Sequence, residues 1–245
     1  LAMLYGSTPD SGEYYASLVV DRAKKIDYEK ALGIGYIVLG TASKMQGNYP
    51  AAIDYFQKSI DIWIAKKDSM GLGATYANLG EVYRLKTDYP EALKYFLLSL
   101  RIDEALQYEI GIAYAYNYLG ATYQELGDYT KALENFQAAL EIRLRLGLDA
   151  GIAAGYNNIG TIYADEGKFA EALENYKASL AIKEKIDDRY GMANTYINIG
   201  DVYHKQGDQQ EAMKYFSLAL KLQKDLEDQE GMAATYIAMA ASRIA

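Results

Sequence analysis

Five asparagines fall in step along this 245-residue chain: Asn78, Asn158 and Asn198 share one position of a 40-residue period, and Asn117 and Asn157 the position before it. A carboxamide carries donors and an acceptor, so a row of them can pair with the backbone of an extended peptide and read its direction without demanding a sequence. The single imidazole, His204, lies near Asp201. A general base needs a nucleophile and an orienting partner, and a metal needs about three or four ligands. Neither constellation accompanies His204. The chain has no cysteine, which excludes thiol catalysis, disulfides and Cys-based zinc sites, and one histidine excludes multi-His sites. Gly33-Ile34-Gly35 and Gly71-Leu72-Gly73 look like fragments of a phosphate loop. No third glycine or Gly-Lys-Ser/Thr follows and no strand precedes them, so they read as glycines of helix starts. No catalytic residue, metal site or cofactor is expected.

These side chains need elements to hold them, and the composition says which. Half of the chain, 51%, is apolar, and 25 basic residues against 33 acidic ones leave a formal charge of −8. Such a chain folds, and repels a phosphate backbone, so nucleic acid is not an expected partner. The longest apolar run, 32–42, is about half of the roughly 20 residues a membrane-spanning helix needs, so no direct membrane insertion is expected. Compartment stays open, because a chain without thiols is indifferent to redox poise. The 25 tyrosines are the anomaly.

A shift of 40 resolves it. Gly40, Gly80, Gly120, Gly160 and Gly200 align; Tyr36 to Tyr236 recur four places earlier, and Tyr83, Tyr123, Tyr163 and Tyr203 three places later. A second block aligns Ala52, Ala92, Ala132, Ala172 and Ala212, then Phe56, Phe96, Phe136, Tyr176 and Phe216, then Ile60, Leu100, Leu140, Leu180 and Leu220. The first block follows the i, i+3, i+4, i+7 spacing and the second the i, i+4, i+7, i+8 spacing, each the apolar face of an amphipathic helix. Gly47, Gly127, Gly167 and Gly207 between them supply left-handed stops, and Pro50 and Pro90 suit a first helical turn. Each unit is therefore a helix hairpin. A glycine in mid-helix costs about 1 kcal/mol relative to alanine, so its recurrence predicts a crossing too close for a Cβ. The tyrosine columns read as core.

The second copy, TYANLGEVYRLKTDYPEALKYFLLSL, resembles the tetratricopeptide repeat family in its aromatic, Leu-Gly, Tyr, turn-aromatic, Ala, Phe and small-Leu positions. The resemblance implies an all-α fold, a right-handed superhelical solenoid of antiparallel hairpins. The unit departs from the family in its 40-residue length, in Thr87 at the turn glycine and in Gln209 at the turn aromatic; it looks like the longer-helix subclass. Five full repeats are expected at 31–70, 71–110, 111–150, 151–190 and 191–230, after a half unit at 10–27 and before an incomplete unit at 231–245. Twelve helices follow. The chain opens without Met and with too short an apolar stretch for a secretory signal, so 1–9 reads as the start of a fragment or processed product. The last helix is unusually apolar, which predicts end-to-end self-association or its covering by a following domain.

By the same resemblance, ligands bind along the first helices. The implied groove comprises Asn78, Glu81, Arg84, Tyr114, Asn117, Tyr118, Glu125, Asn157, Asn158, Asp165, Asn194, Asn198, Asp201 and His204. Tyr114 and Tyr118 lie outside the main tyrosine columns and suit aromatic anchors, and Glu125 and Asp165 suit a peptide with a basic centre. The family's chaperone-binding members hold a C-terminal carboxylate with Lys and Arg at positions that here are Ile34, Ala74, Ile37 and Ala77, so that clamp is missing. The implied function is a non-enzymatic interaction scaffold that binds a protein or peptide segment. The linkers are also similar to tetratricopeptide regions of bacterial sensor histidine kinases, nucleotide cyclases and regulators, which implies the alternative of a sensory or regulatory region of a larger signalling protein.

Overall fold

The turn chemistry places the helix boundaries. The computed structural model describes residues 9–244 and side chains from 13 to 242; the segment 1–8, most of the stretch read as a fragment start, lies outside them. The described residues form twelve helices and no strand: α1 (Pro9–Lys25), α2 (Glu29–Met45), α3 (Tyr49–Lys66), α4 (Ser69–Leu85), α5 (Tyr89–Ala105), α6 (Glu109–Glu125), α7 (Tyr129–Leu146), α8 (Asp149–Asp165), α9 (Phe169–Lys185), α10 (Arg189–Lys205), α11 (Gln209–Asp225) and α12 (Gln229–Ile244). Two compact units divide at Leu126 and Gly127. Each is a stack of antiparallel hairpins in which neighbouring helices pack. None of the described helices is long and apolar enough to cross a membrane.

Asn48, Asp68, Asp88, Asp128, Asp188 and Asp208 each accept a backbone N–H three residues on, satisfying a donor that the helix cannot pair internally. Gly47, Gly127, Gly167 and Gly207 hold φ between 74° and 80° and stop the first helices as their positions predict. The stops of the second helices carry no such signature. There the left-handed residue is Asp27, Lys67, Gln107, Asp187 or Glu227, with φ of 53–55°, and only Gly147 is a glycine. Those five side chains are exposed, and the conformation is sustained by the turn hydrogen bonds around it.

Inside each hairpin the mid-helix glycine meets an aromatic ring. A Cβ on Gly40, Gly80 or Gly200 would lie 2.6–2.7 Å from Phe56, Phe96 or Phe216, and one on Gly160 would lie 2.9 Å from Tyr176. The close crossing is thus filled by the ring, with Ala52, Ala92, Ala172 and Ala212 fully buried beside it. The tyrosine columns differ from their reading as core. Apart from Tyr176 they are half-buried or, at Tyr236, exposed. They form seams along the hairpins: Tyr83 stacks on Tyr95 at 5.4 Å and Tyr203 on Tyr215 at 5.5 Å. Lys94 and Lys214 lie over the outer rings. A phenol suits this place because its body packs while its hydroxyl stays wet.

Candidate ligand-binding face

In the first unit the candidate residues gather on α4 and α6. Asn78 turns its amide back to its own helix, donating to the Ala74 carbonyl at 2.8 Å, so its nitrogen is engaged locally. The charges pair from one repeat to the next: Lys44 on α2 with Glu81 on α4, and Arg84 on α4 with Glu125 on α6. Glu125 is therefore engaged by Arg84 rather than standing as an isolated carboxylate, and these charges form cross-repeat ties. Tyr114 is 57% exposed. Tyr118 stacks flat on the core ring of Phe96, 5.0 Å away with planes 4° apart. Burial, then the nearby Glu81 charge, raises its phenol pKa. Asn117 sits beside it, half-buried.

In the second unit Asn157 on α8 accepts from two α10 groups, Thr195 Oγ1 at 3.2 Å and Asn198 Nδ2 at 3.3 Å. Part of the carboxamide row thus ties neighbouring first helices together. Asn158 is half-buried, while Asn194 and Asp165 are exposed. Asp201 is half-buried, and burial raises its carboxyl pKa against the opposing charges of Lys205 and His204. His204 Nδ1 is buried without a hydrogen-bond partner. No group of three or more His, Asp or Glu side chains among the described residues is arranged to hold a metal.

A further column, absent from the sequence reading, closes the space between hairpins. Near the ends of the second helices stand Trp63, Asp103, Arg143, Lys183 and Gln223, each buried, against Gly71, Gly111, Gly151, Gly191 and Gly231 of the following first helix. The long members fill the space and satisfy what they meet. Arg143 donates to the Gly151 carbonyl at 3.2 Å, and Lys183 to the Gly191 carbonyl at 3.1 Å and to Thr195 Oγ1 at 2.7 Å. Gln223 accepts from Thr235 at 2.9 Å. Burial lowers the Lys183 pKa. Its residue types never repeat, which hides it from a search for recurring letters. The five facing glycines do repeat every 40 residues and are the signal that points to it.

Asp103 is the short member, and a cavity of about 360 Å³ lies at it, between α4 and α6. Asn78, Ser99, Asp103, Tyr108, Tyr114 and Tyr118 line it. Three of the residues implied as groove positions therefore share one cavity, together with a buried carboxyl that the sequence reading did not single out. That volume falls in the range of small-ligand sites, about 300–1,000 Å³.

A tetratricopeptide repeat model matches residues 34–105, 111–185 and 151–225. Among curated proteins none matches significantly. Solved structures share the fold at low identity. BtubC (BKLC) from P. vanneervenii is 23% identical with a TM-score of 0.78, over 91% of this chain and 93% of that one. Aspartyl phosphate phosphatase F from Bacillus subtilis is 18% identical with a TM-score of 0.80, over 92% of this chain and 60% of that one. A Rap protein complexed with competence and sporulation factor is 20% identical with a TM-score of 0.73, over 84% and 57%.

Proposed function

The chain belongs to the tetratricopeptide repeat family, and from that premise we propose that it is a non-enzymatic interaction scaffold that binds an extended segment of a protein or peptide along its first helices. The cavity between α4 and α6 is the observation that carries this reading. It puts an exposed aromatic, Tyr114, beside Asn78 and Tyr118 on the face where the carboxamides recur. Rigid aromatic side chains beside polar groups anchor a segment at small entropic cost. In the second unit, Asn157 engages its oxygen with α10, and the exposed Asn194 is an amide placed to meet a ligand there.

A peptide array probed with the full chain tests this. Some sequences should bind, and Tyr114→Ala should weaken those by about tenfold or more, as truncating a central anchor does. Asn78→Ala should weaken the same peptides by less, with its melting temperature close to that of the parent. An array on which no sequence binds above background, or on which the Tyr114→Ala pattern equals the parent's, would sink the assignment.

A further inference from the structure

Asp103 stands where its surroundings oppose a negative charge. It is 8% exposed. Burial raises its carboxyl pKa, with only a partial correction from Ser99. Among the described residues one hydrogen bond reaches it, from Ser99 Oγ at 3.4 Å, at the long limit for such a bond. It lies in the last turn of α5, where the helix dipole and the free carbonyls favour a cation. The last turns of α3, α7, α9 and α11 carry basic residues, and that of α5 carries none.

Comparison within the column sharpens this. Arg143 and Lys183 donate to a backbone carbonyl of the next helix, a group that a carboxylate cannot bind. Lys183 and Gln223 also have a hydroxyl partner on that helix, Thr195 and Thr235. The corresponding residue facing Asp103 is Ala115, which has none. Shortness leaves the cavity, and the missing hydroxyl leaves the carboxylate without a close donor. The walls are aromatic, from Tyr108, Tyr114 and Tyr118, and ring faces attract cations.

We infer that this cavity takes the cationic head of an aliphatic amine or guanidine, presented as a lysine or arginine side chain of the bound segment, with Asp103 as its counter-ion. The inference rests on the segment-binding reading above and deepens it. The head supplies the donors that Arg143 and Lys183 supply to their own repeats, and the tyrosines flank its alkyl stem. The chain's net charge of −8 favours encounter with such segments at low salt.

Titration calorimetry on the full chain tests it with capped pentapeptides Ala-Ala-Xaa-Ala-Ala, where Xaa is lysine, arginine or norleucine, and with butylamine. The lysine and arginine peptides should bind about tenfold or more tightly than the norleucine peptide, and Asp103→Asn should abolish that preference. This variant removes a buried charge and should melt no lower than the parent. A second variant, Asp103→Lys with Ala115→Thr, rebuilds the Lys183 and Thr195 arrangement and should bind no cationic peptide. Norleucine binding equal to lysine, or a preference that survives Asp103→Asn, overturns the cation site and leaves segment binding standing. Butylamine binding without any peptide binding keeps the cation site and overturns the segment as its source.

Discussion

Trp63→Ala should destabilise the first unit by about 3 kcal/mol, the low end of the 3–5 kcal/mol lost when a buried tryptophan is truncated. Trp63 is 2% exposed, and its indole lies between two glycines of the flanking first helices. A Cβ on Gly33 would come within 2.7 Å of the ring from α2, and one on Gly71 within 2.6 Å from α4. The low end applies because the indole Nε1 is buried without a partner, a cost of about 1–3 kcal/mol that truncation relieves. Urea unfolding followed by circular dichroism measures the change.

The same geometry predicts a coupling. Gly71→Ala alone should destabilise by about 1–3 kcal/mol through overpacking against the indole. In the Trp63→Ala background it should be neutral or should stabilise by up to about 1 kcal/mol, the helix-propensity difference between glycine and alanine. Two substitutions that merely added would refute the account of why glycine stands there.

What was legible depended on whether the chemistry repeats. The mid-helix glycines at 40, 80, 160 and 200 predicted a close crossing, and the rings of Phe56, Phe96, Tyr176 and Phe216 occupy it. The turns after the first helices were legible at Gly47, Gly127, Gly167 and Gly207, and after α4 Thr87 takes the left-handed conformation in glycine's place. Those after the second helices were not, since Lys67 or Gln107 adopts the left-handed conformation without announcing it. The tyrosine columns were misread as core because period reports which face a residue shares and not how deeply it lies. The candidate groove was legible in part. Tyr114 and Asn78 do line a cavity, but its floor comes from Asp103, in a column whose members are a tryptophan, two cations, an amide and an acid. Varied side chains facing a constant glycine make a column invisible to alignment by residue type. They also make one repeat different from its neighbours.

Tyr176→Phe should make the second unit more resistant to alkali by about 2 kcal/mol at pH 12 relative to pH 9. Four repeats hold phenylalanine at this position and one holds tyrosine. Tyr176 is 2% exposed, and burial pushes its phenol pKa up to about 12, against the opposing effect of its hydrogen bond to Thr161. The folded-state pKa lies above the unfolded value near 10.0. The stability it contributes is therefore complete below pH 10 and is lost as pH rises through the folded value. The whole displacement corresponds to about 3 kcal/mol, of which about 2 kcal/mol is lost by pH 12, where half of the folded phenol is still protonated. Lys183 works with the opposite sign, because burial lowers its pKa from 10.5. Its charged form is disfavoured by folding, so stability rises with pH between its folded value and 10.5, before most of the tyrosine loss. Tyr196 shifts in the same direction as Tyr176, so the parent's total loss exceeds one residue's share, and only the difference between parent and variant isolates position 176. At neutral pH the substitution should cost about 1 kcal/mol, one hydrogen bond. Urea midpoints across pH 9–12 that run parallel in the two proteins would show that Tyr176 does not set the alkaline limit.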